Sequence, residues 1–189
     1  GYVCFINASK VPGYRFFYPT YSDYVMNIKR RAQIIYPKDS AAMLMWGDIR
    51  GGQRVLESGI GQGAMSIALL QAMGGKGELV SYELREEFAV DAAGFIKEFY
   101  GEADNHKIEI RYVYEGMDGV FDRIILDLPE PWHVIAHCDT GLRNGGIVVA
   151  YVPTILQAIS FVEKLKESQI FEEIETLEFT KRPWKIDGR

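Results

Sequence analysis

Cysteine is scarce in this sequence. Cys4 and Cys138 are the only two in 189 residues, far apart and without the close spacing of metal ligands. That pattern excludes a disulfide framework and fits free thiols in a reducing cytoplasm. Long hydrophobic runs are missing as well. None approaches the roughly 20 residues that span a bilayer, and the first residues lack a signal-peptide pattern. Positive charge is in deficit: 21 Lys and Arg against 26 Asp and Glu give a net charge of −5. A simple, uniformly basic nucleic-acid-binding surface is thereby excluded, although a local patch is not. Repeats, low-complexity runs and linkers are absent. The expectation is one domain with a substantial core and a small appendage.

The basic residues that are present cluster in two places, Lys29-Arg30-Arg31 with Lys38, and Lys181-Arg182 with Lys185 and Arg189. They read either as solvated charges at element ends or as parts of an anion-binding surface. Residues 1–37 are rich in aromatics and carry Pro12, Gly13, Pro19 and Pro37. Tyr14–Tyr18 is expected to be a short strand and Ser22–Arg31 a short helix, together an N-terminal β-rich appendage. Asp39 is the expected N-cap of a helix over Ala42–Trp46.

From there the elements alternate. Strands are expected at Arg54–Glu57, Glu78–Glu83, Ile108–Val113, Phe121–Asp127, Ile147–Val152 and Phe171–Thr180. Helices are expected at Gly63–Met73, Glu86–Tyr100 and Pro153–Ser168, the last with Ile155, Ile159, Val162 and Leu165 on one face. This order predicts an α/β fold: a Rossmann-like, doubly wound, mostly parallel sheet covered by helices on both faces, over residues 38–189. The chain stops soon after the last strand, so a final edge strand is expected to be lacking.

Between the first strand and its helix runs Glu57-Ser58-Gly59-Ile60-Gly61-Gln62-Gly63-Ala64-Met65. A glycine turn there lets backbone approach a ligand beside a helix N-terminus. Gly59, Gly61 and Ala64 also satisfy the looser dinucleotide fingerprint, so the turn alone leaves NAD and S-adenosylmethionine both open. Glu83 follows Gly63 by 20 residues at the end of the second strand, where a carboxylate accepts from ribose hydroxyls in either cofactor. Three details favour S-adenosylmethionine: the extra glycine, the acidic proline-rich loop after the fourth strand, and Glu57. A carboxylate before the turn suits a ligand with an ammonium and a sulfonium and repels a pyrophosphate. Gln62, Gly63, Ala64 and Met65 complete the cofactor-binding candidates.

The fourth strand runs into Asp127-Leu128-Pro129-Glu130-Pro131-Trp132. In a doubly wound sheet, ligands bind beyond the carboxyl ends of the strands, and Asp127 stands at one. Two prolines stiffen the loop and free carbonyls to accept. A rigid carboxylate with Pro129 and Trp132 beside it suits an exocyclic amine on a planar base. The alternative is that Asp127 caps the next helix and Trp132 packs into the core. Tyr36 and Tyr151 are candidates for an aromatic pocket, with core packing as the alternative. His133 and His137 are four apart, but with no third ligand evident no metal is expected.

Five segments fall in the order found in the tRNA adenine-N1 methyltransferases, which modify the T-loop adenosine at tRNA position 58. They are Arg31–Asp39 (with Tyr36-Pro37-Lys38-Asp39), Val55–Met65, Ser81-Tyr82-Glu83, Asp127–Trp132 and Val149–Thr154. The chain resembles that family over nearly its whole length. The resemblance implies a methyltransferase domain using S-adenosylmethionine, with a small N-terminal β-domain, assembled as a homotetramer that binds tRNA. It implies that Gly59–Met65 contact the methionine part of the cofactor and Glu83 its ribose. Asp127 is then the catalytic group between cofactor and base, with Tyr36 and Tyr151 lining the base pocket, and Arg30 and Arg31 join Trp132 and Pro129 on the tRNA side. Tyr112 stands at the position aligned with the family's aspartate near the cofactor adenine, a departure from the pattern.

Overall fold

The computed structural model describes residues 18–29, 31 and 33–186. The expected strand at 14–18 falls almost wholly outside them, as do Cys4, Arg30 and Arg189. In chain order the elements are α1 (Tyr21–Asn27), α2 (Pro37–Trp46), β1 (Arg54–Ser58), α3 (Ala64–Met73), β2 (Glu78–Glu83), α4 (Glu86–Phe99), β3 (His106–Ile110), β4 (Phe121–Leu126), α5 (Ile135–Gly141), β5 (Leu142–Ala150) and α6 (Ile155–Ser168). All strand pairs are parallel, and the order across the sheet is β3-β2-β1-β4-β5. The expected doubly wound sheet is therefore present, with β1 and β4 at its centre.

Alternation along the strands builds two cores. Val55, Leu79 and Ile125 face one side, under Met43 of α2, Ile67 and Leu70 of α3, and Ala92 and Ile96 of α4. Leu56, Val80, Tyr82, Ile124 and Leu126 face the other, against Ile135 and Cys138 of α5 and Phe161 and Leu165 of α6. Buried on both faces, β1, β2 and β4 read as near-continuous apolar runs. Hence they were found to within a residue.

The element ends differ more. α1 starts at Tyr21, held by a capping box in which Thr20 and Asp23 exchange hydrogen bonds, and it stops at Asn27, so Lys29 and Arg31 lie beyond it. α2 begins at Pro37, whose fixed φ suits the first helical position. Asp39 is thus not the N-cap but lies in the first turn, where its amide donates to the Tyr36 carbonyl. β3 ends at Ile110, because Val113–Glu115 wind into a 3₁₀ turn. On α6 the buried residues are Phe161 and Leu165; Ile155 and Ile159 are exposed. Over Phe171–Thr180 no strand forms. Phe171 and Ile174 pack on the second core, and Phe179 meets Trp46 edge-on at 5.2 Å. β-branched and aromatic residues gave that stretch strand character, but a strand needs a partner ladder, and no neighbouring strand pairs with it.

Candidate active site at the strand ends

The carboxyl ends of β1, β2 and β4 carry the candidate residues. Backbone hydrogen bonds fasten the glycine turn between its neighbours: Gly59 N–H donates to the Tyr82 carbonyl at 3.1 Å, and Asp127 N–H to the Ser58 carbonyl at 2.9 Å. Gly59 has φ +89, and a Cβ there would collide with the Asp127 carbonyl oxygen. The cofactor turn and the acidic loop are thus in direct backbone contact. Gly63 precedes α3 in the left-handed region, with Ile96 so close that a Cβ would crowd it. The turn thereby aims the α3 N-terminus, with its partial positive charge, into a cleft.

That small cleft, open to solvent, is lined by Gln33, Ile34, Ile35, Gly59, Ile60, Gly61, Gln62, Ala64, Met65 and Asp127. The structure therefore gathers Asp127 and most of the turn on one wall. Residues 33–35 also line the cleft, buried at Ile34 and Ile35; they belong to a segment, here called the strap, that includes Lys29 and Arg31 and ends at Tyr36. Sequence reasoning did not single out the strap residues as site lining. The signal was the apolar pair Ile34-Ile35 just before the Tyr36-Pro37 helix start.

Glu83 is buried, and its carboxylate is oriented by backbone. Oε1 accepts from the amides of Leu84 at 2.9 Å and Arg85 at 3.0 Å, and Oε2 from Gly61 at 3.4 Å. Glu57 is not on the cleft wall. It sits beneath the turn, 2% exposed, with Oε2 accepting from Ser66 Oγ and Ser81 Oγ, both at 2.6 Å. Oε1 has no partner among the described residues. Burial pushes its pKa up to about 7; the two serine hydroxyls oppose this, and the charges of Asp127 and Glu83 add to it. His106, held neutral by burial at about 4, stands 2.9 Å from Ser81 Oγ. Since the serine hydrogen goes to Glu57, His106 Nε2–H is the donor there. Burial likewise raises Asp127 to about 6.

Tyr36 ends the strap, its hydroxyl accepting from Gln33 Nε2 at 3.1 Å. Tyr151 follows β5, its amide donating to the Leu126 carbonyl at 2.8 Å. Burial raises the Tyr151 phenol, and the charges of Asp39 and Asp127 and the Tyr36 phenol raise it further. Tyr36, Asp39, Asp127 and Tyr151 thus share one neighbourhood. Lys38 joins it, pairing with Asp39 at 2.6 Å and donating to the Phe179 carbonyl at 2.9 Å. That contact ties Lys38 to the C-terminal stretch that carries Lys181 and Arg182.

Other candidates point elsewhere. Gln62 lines the cleft, but its side-chain amide is given to the strap: Nε2 donates to the Lys29 carbonyl at 2.7 Å and Oε1 accepts from Arg31 N–H at 2.9 Å. Arg31 pairs with Asp91 at 3.2 Å. The Pro129 carbonyl is not free but accepts from Gln157 Nε2 at 2.9 Å. Trp132, in a 3₁₀ turn over Pro131–Val134, packs against the second core rather than lining the cleft. Asp127 is not a helix cap, since that turn begins after Glu130. His137 sits 2.8 Å from the Tyr114 carbonyl and His133 is stacked edge-on against Tyr114. Among the described residues no group of three His, Cys, Asp or Glu side chains is placed to hold a metal ion.

The family model for the tRNA methyltransferase complex GCD14 subunit matches residues 14–189. The tRNA (adenine(58)-N(1))-methyltransferase TrmI of Thermus thermophilus is 33% identical over 89% of this chain and 66% of its own length. The tRNA (adenine(57)-N(1)/adenine(58)-N(1))-methyltransferase TrmI of Methanocaldococcus jannaschii is 34% identical over 90% of this chain and 70% of its own. The chain therefore spans about two thirds of these relatives. Among solved structures, TrmI from Aquifex aeolicus superposes with a TM-score of 0.75 at 30% identity, covering 84% of this chain and 64% of that one. A SAM-dependent O-methyltransferase from Thermotoga maritima gives 0.74 at 38% identity, covering 79% and 56%.

Proposed function

Because the chain belongs to the family of the tRNA methyltransferase complex GCD14 subunit, we propose that it moves a methyl group from S-adenosylmethionine to N1 of an adenosine in the T-loop of tRNA. One observation carries the reading: Asp127, a half-buried carboxylate on the cleft wall, is locked by Gly59 against the glycine turn. A group so placed stands between a bound cofactor and whatever reacts with it.

The residues fit such a cofactor. The α3 N-terminus and the turn amides suit its carboxylate. The negative field of Glu57, whose Oε1 has no partner among the described residues, suits its ammonium and sulfonium. Glu83, oriented by three amides, accepts from the ribose hydroxyls. When bound, S-adenosylmethionine supplies a methyl group on a positively charged sulfur. Asp127 accepts a hydrogen bond from the exocyclic amine of adenine and stabilises the cationic base that methylation leaves. Orientation of N1 toward the methyl group supplies much of the rate. N1 lies on the pairing edge, so the base is extruded into a pocket lined by Tyr36 and Tyr151. Trp132 and Pro129, anchored in the second core and on Gln157, act by stiffening the Asp127 loop.

Lys38 with Lys181, Arg182 and Lys185 provides a local basic surface on an acidic chain. A cytoplasmic homo-oligomer, a tetramer by resemblance, gathers several such surfaces for tRNA. In the deciding experiment the protein is incubated with unmodified tRNA and labelled S-adenosylmethionine, and the RNA is digested to nucleosides. Label in 1-methyladenosine from the T-loop is expected. Tight binding of S-adenosylhomocysteine without RNA labelling would instead favour a protein or small-molecule acceptor. Preference for NADH would overturn the cofactor assignment.

A further inference from the structure

We propose that Gln62 is a positioning residue: its side-chain amide latches the strap over the cofactor cleft, coupling cofactor affinity to the placement of Tyr36. The inference rests on the cofactor reading above but concerns a contact within this chain. The Gln62 side chain is buried, 2% exposed. It bridges two backbone positions of one segment, donating to the Lys29 carbonyl and accepting from the Arg31 amide. A primary amide offers a donor and an acceptor side by side, which a carboxylate or an alkyl group does not. Four residues past Arg31 the same segment puts Ile35 into the core under the cleft, with Gln33 and Ile34 on the cleft wall. One residue later it ends at Tyr36, the N-cap of α2.

The latch ties the segment to the glycine turn by hydrogen bonds, beside the packing of Ile34 with Ala64 in one small cluster. Further ties in this region run from α1. Tyr21 donates to the Ala64 carbonyl at 3.0 Å and Tyr24 to the Phe95 carbonyl at 3.1 Å. The Arg31–Asp91 pair is exposed and contributes little. A ligand held by the turn lies against Gln33, Ile34 and Ile35, and Gln62 ties the segment that carries them to the turn. Anything that fixes the turn fixes the strap, and the converse holds.

The test uses Gln62→Ala and the near-isosteric Gln62→Glu, with S-adenosylhomocysteine as probe. Calorimetry gives affinity, and timed trypsin cleavage after Lys29 and Arg31 gives strap opening with and without the probe. For Gln62→Ala, affinity is expected to fall about tenfold, strap cleavage to quicken by a similar factor, and the probe to protect less than in the parent protein. Gln62→Glu is expected to be worse at pH 8 and to recover toward the parent near pH 5, where a protonated carboxyl regains its donor. A role in stability alone would leave the affinity of the folded protein and the protection given by the probe unchanged. Unchanged affinity with faster cleavage, or reduced affinity with an unchanged strap, would overturn the coupling. Failure of the parent protein to bind the probe would overturn the cofactor reading instead. Circular dichroism separates either result from misfolding.

Discussion

Glu57→Gln isolates the electrostatics beneath the glycine turn. The carboxyl titrates at about 7 in the fold against 4.5 ordinarily, chiefly because it is buried. The folded form therefore holds an extra proton between those values. Stability from this group is complete below pH 4.5 and is lost as pH rises through 7. At about 1.4 kcal/mol per unit, a shift of this size makes the ionised carboxylate cost about 3 kcal/mol of folding stability at pH 8. Glutamine mimics the protonated acid: its oxygen still accepts from Ser66 and Ser81, and no charge appears at high pH. Urea unfolding at pH 5 and pH 8 should then show the parent losing about 2.5 kcal/mol more than the variant over this interval. Taking the difference between the two proteins cancels the titrations of Asp127 and His106, which both keep. Cofactor affinity should move the opposite way. The parent binds S-adenosylhomocysteine more tightly as pH rises through 7, because the ammonium stabilises the ionised carboxylate, and the variant shows no such rise. Equal pH dependence of stability in the two proteins would refute the reasoning.

Asp127→Asn should lower turnover by about 10²–10³ while leaving S-adenosylhomocysteine affinity within a few-fold; parent turnover should rise with pH through about 6 and that of the variant should not. Gly59→Ala should lower the unfolding free energy by several kcal/mol in denaturant titrations, since it forces a Cβ against the Asp127 carbonyl at φ +89. Gly61→Ala, at φ +52 with open space around it, should lower it by about 1 kcal/mol. Replacing Lys181 and Arg182 together with Ala should flatten the salt dependence of tRNA binding by up to about two units of log–log slope, while leaving cofactor binding unchanged.

The fold was legible because its central strands are buried on both faces. Runs such as Val55-Leu56 and Ile124-Ile125-Leu126 need no partner to declare themselves. Strand ends and edges depend on pairing, so Phe171–Thr180 carried strand residues without becoming a strand. The glycine turn, Glu83 and Asp127 were equally readable: backbone approach, helix N-termini and strand-end carboxylates follow from local sequence and from chain order in a doubly wound sheet.

The sequence by itself nominated the candidate residues, since residue type and spacing along one chain suffice for that. The tertiary structure alone decided which way they face. It put Glu57 beneath the cleft rather than in it, tied the Pro129 carbonyl to Gln157, turned Trp132 toward the second core, and gave the Gln62 amide to the strap. Each outcome depends on which residue, distant in sequence, arrives within hydrogen-bonding or packing distance, and periodicity along one chain holds no record of that.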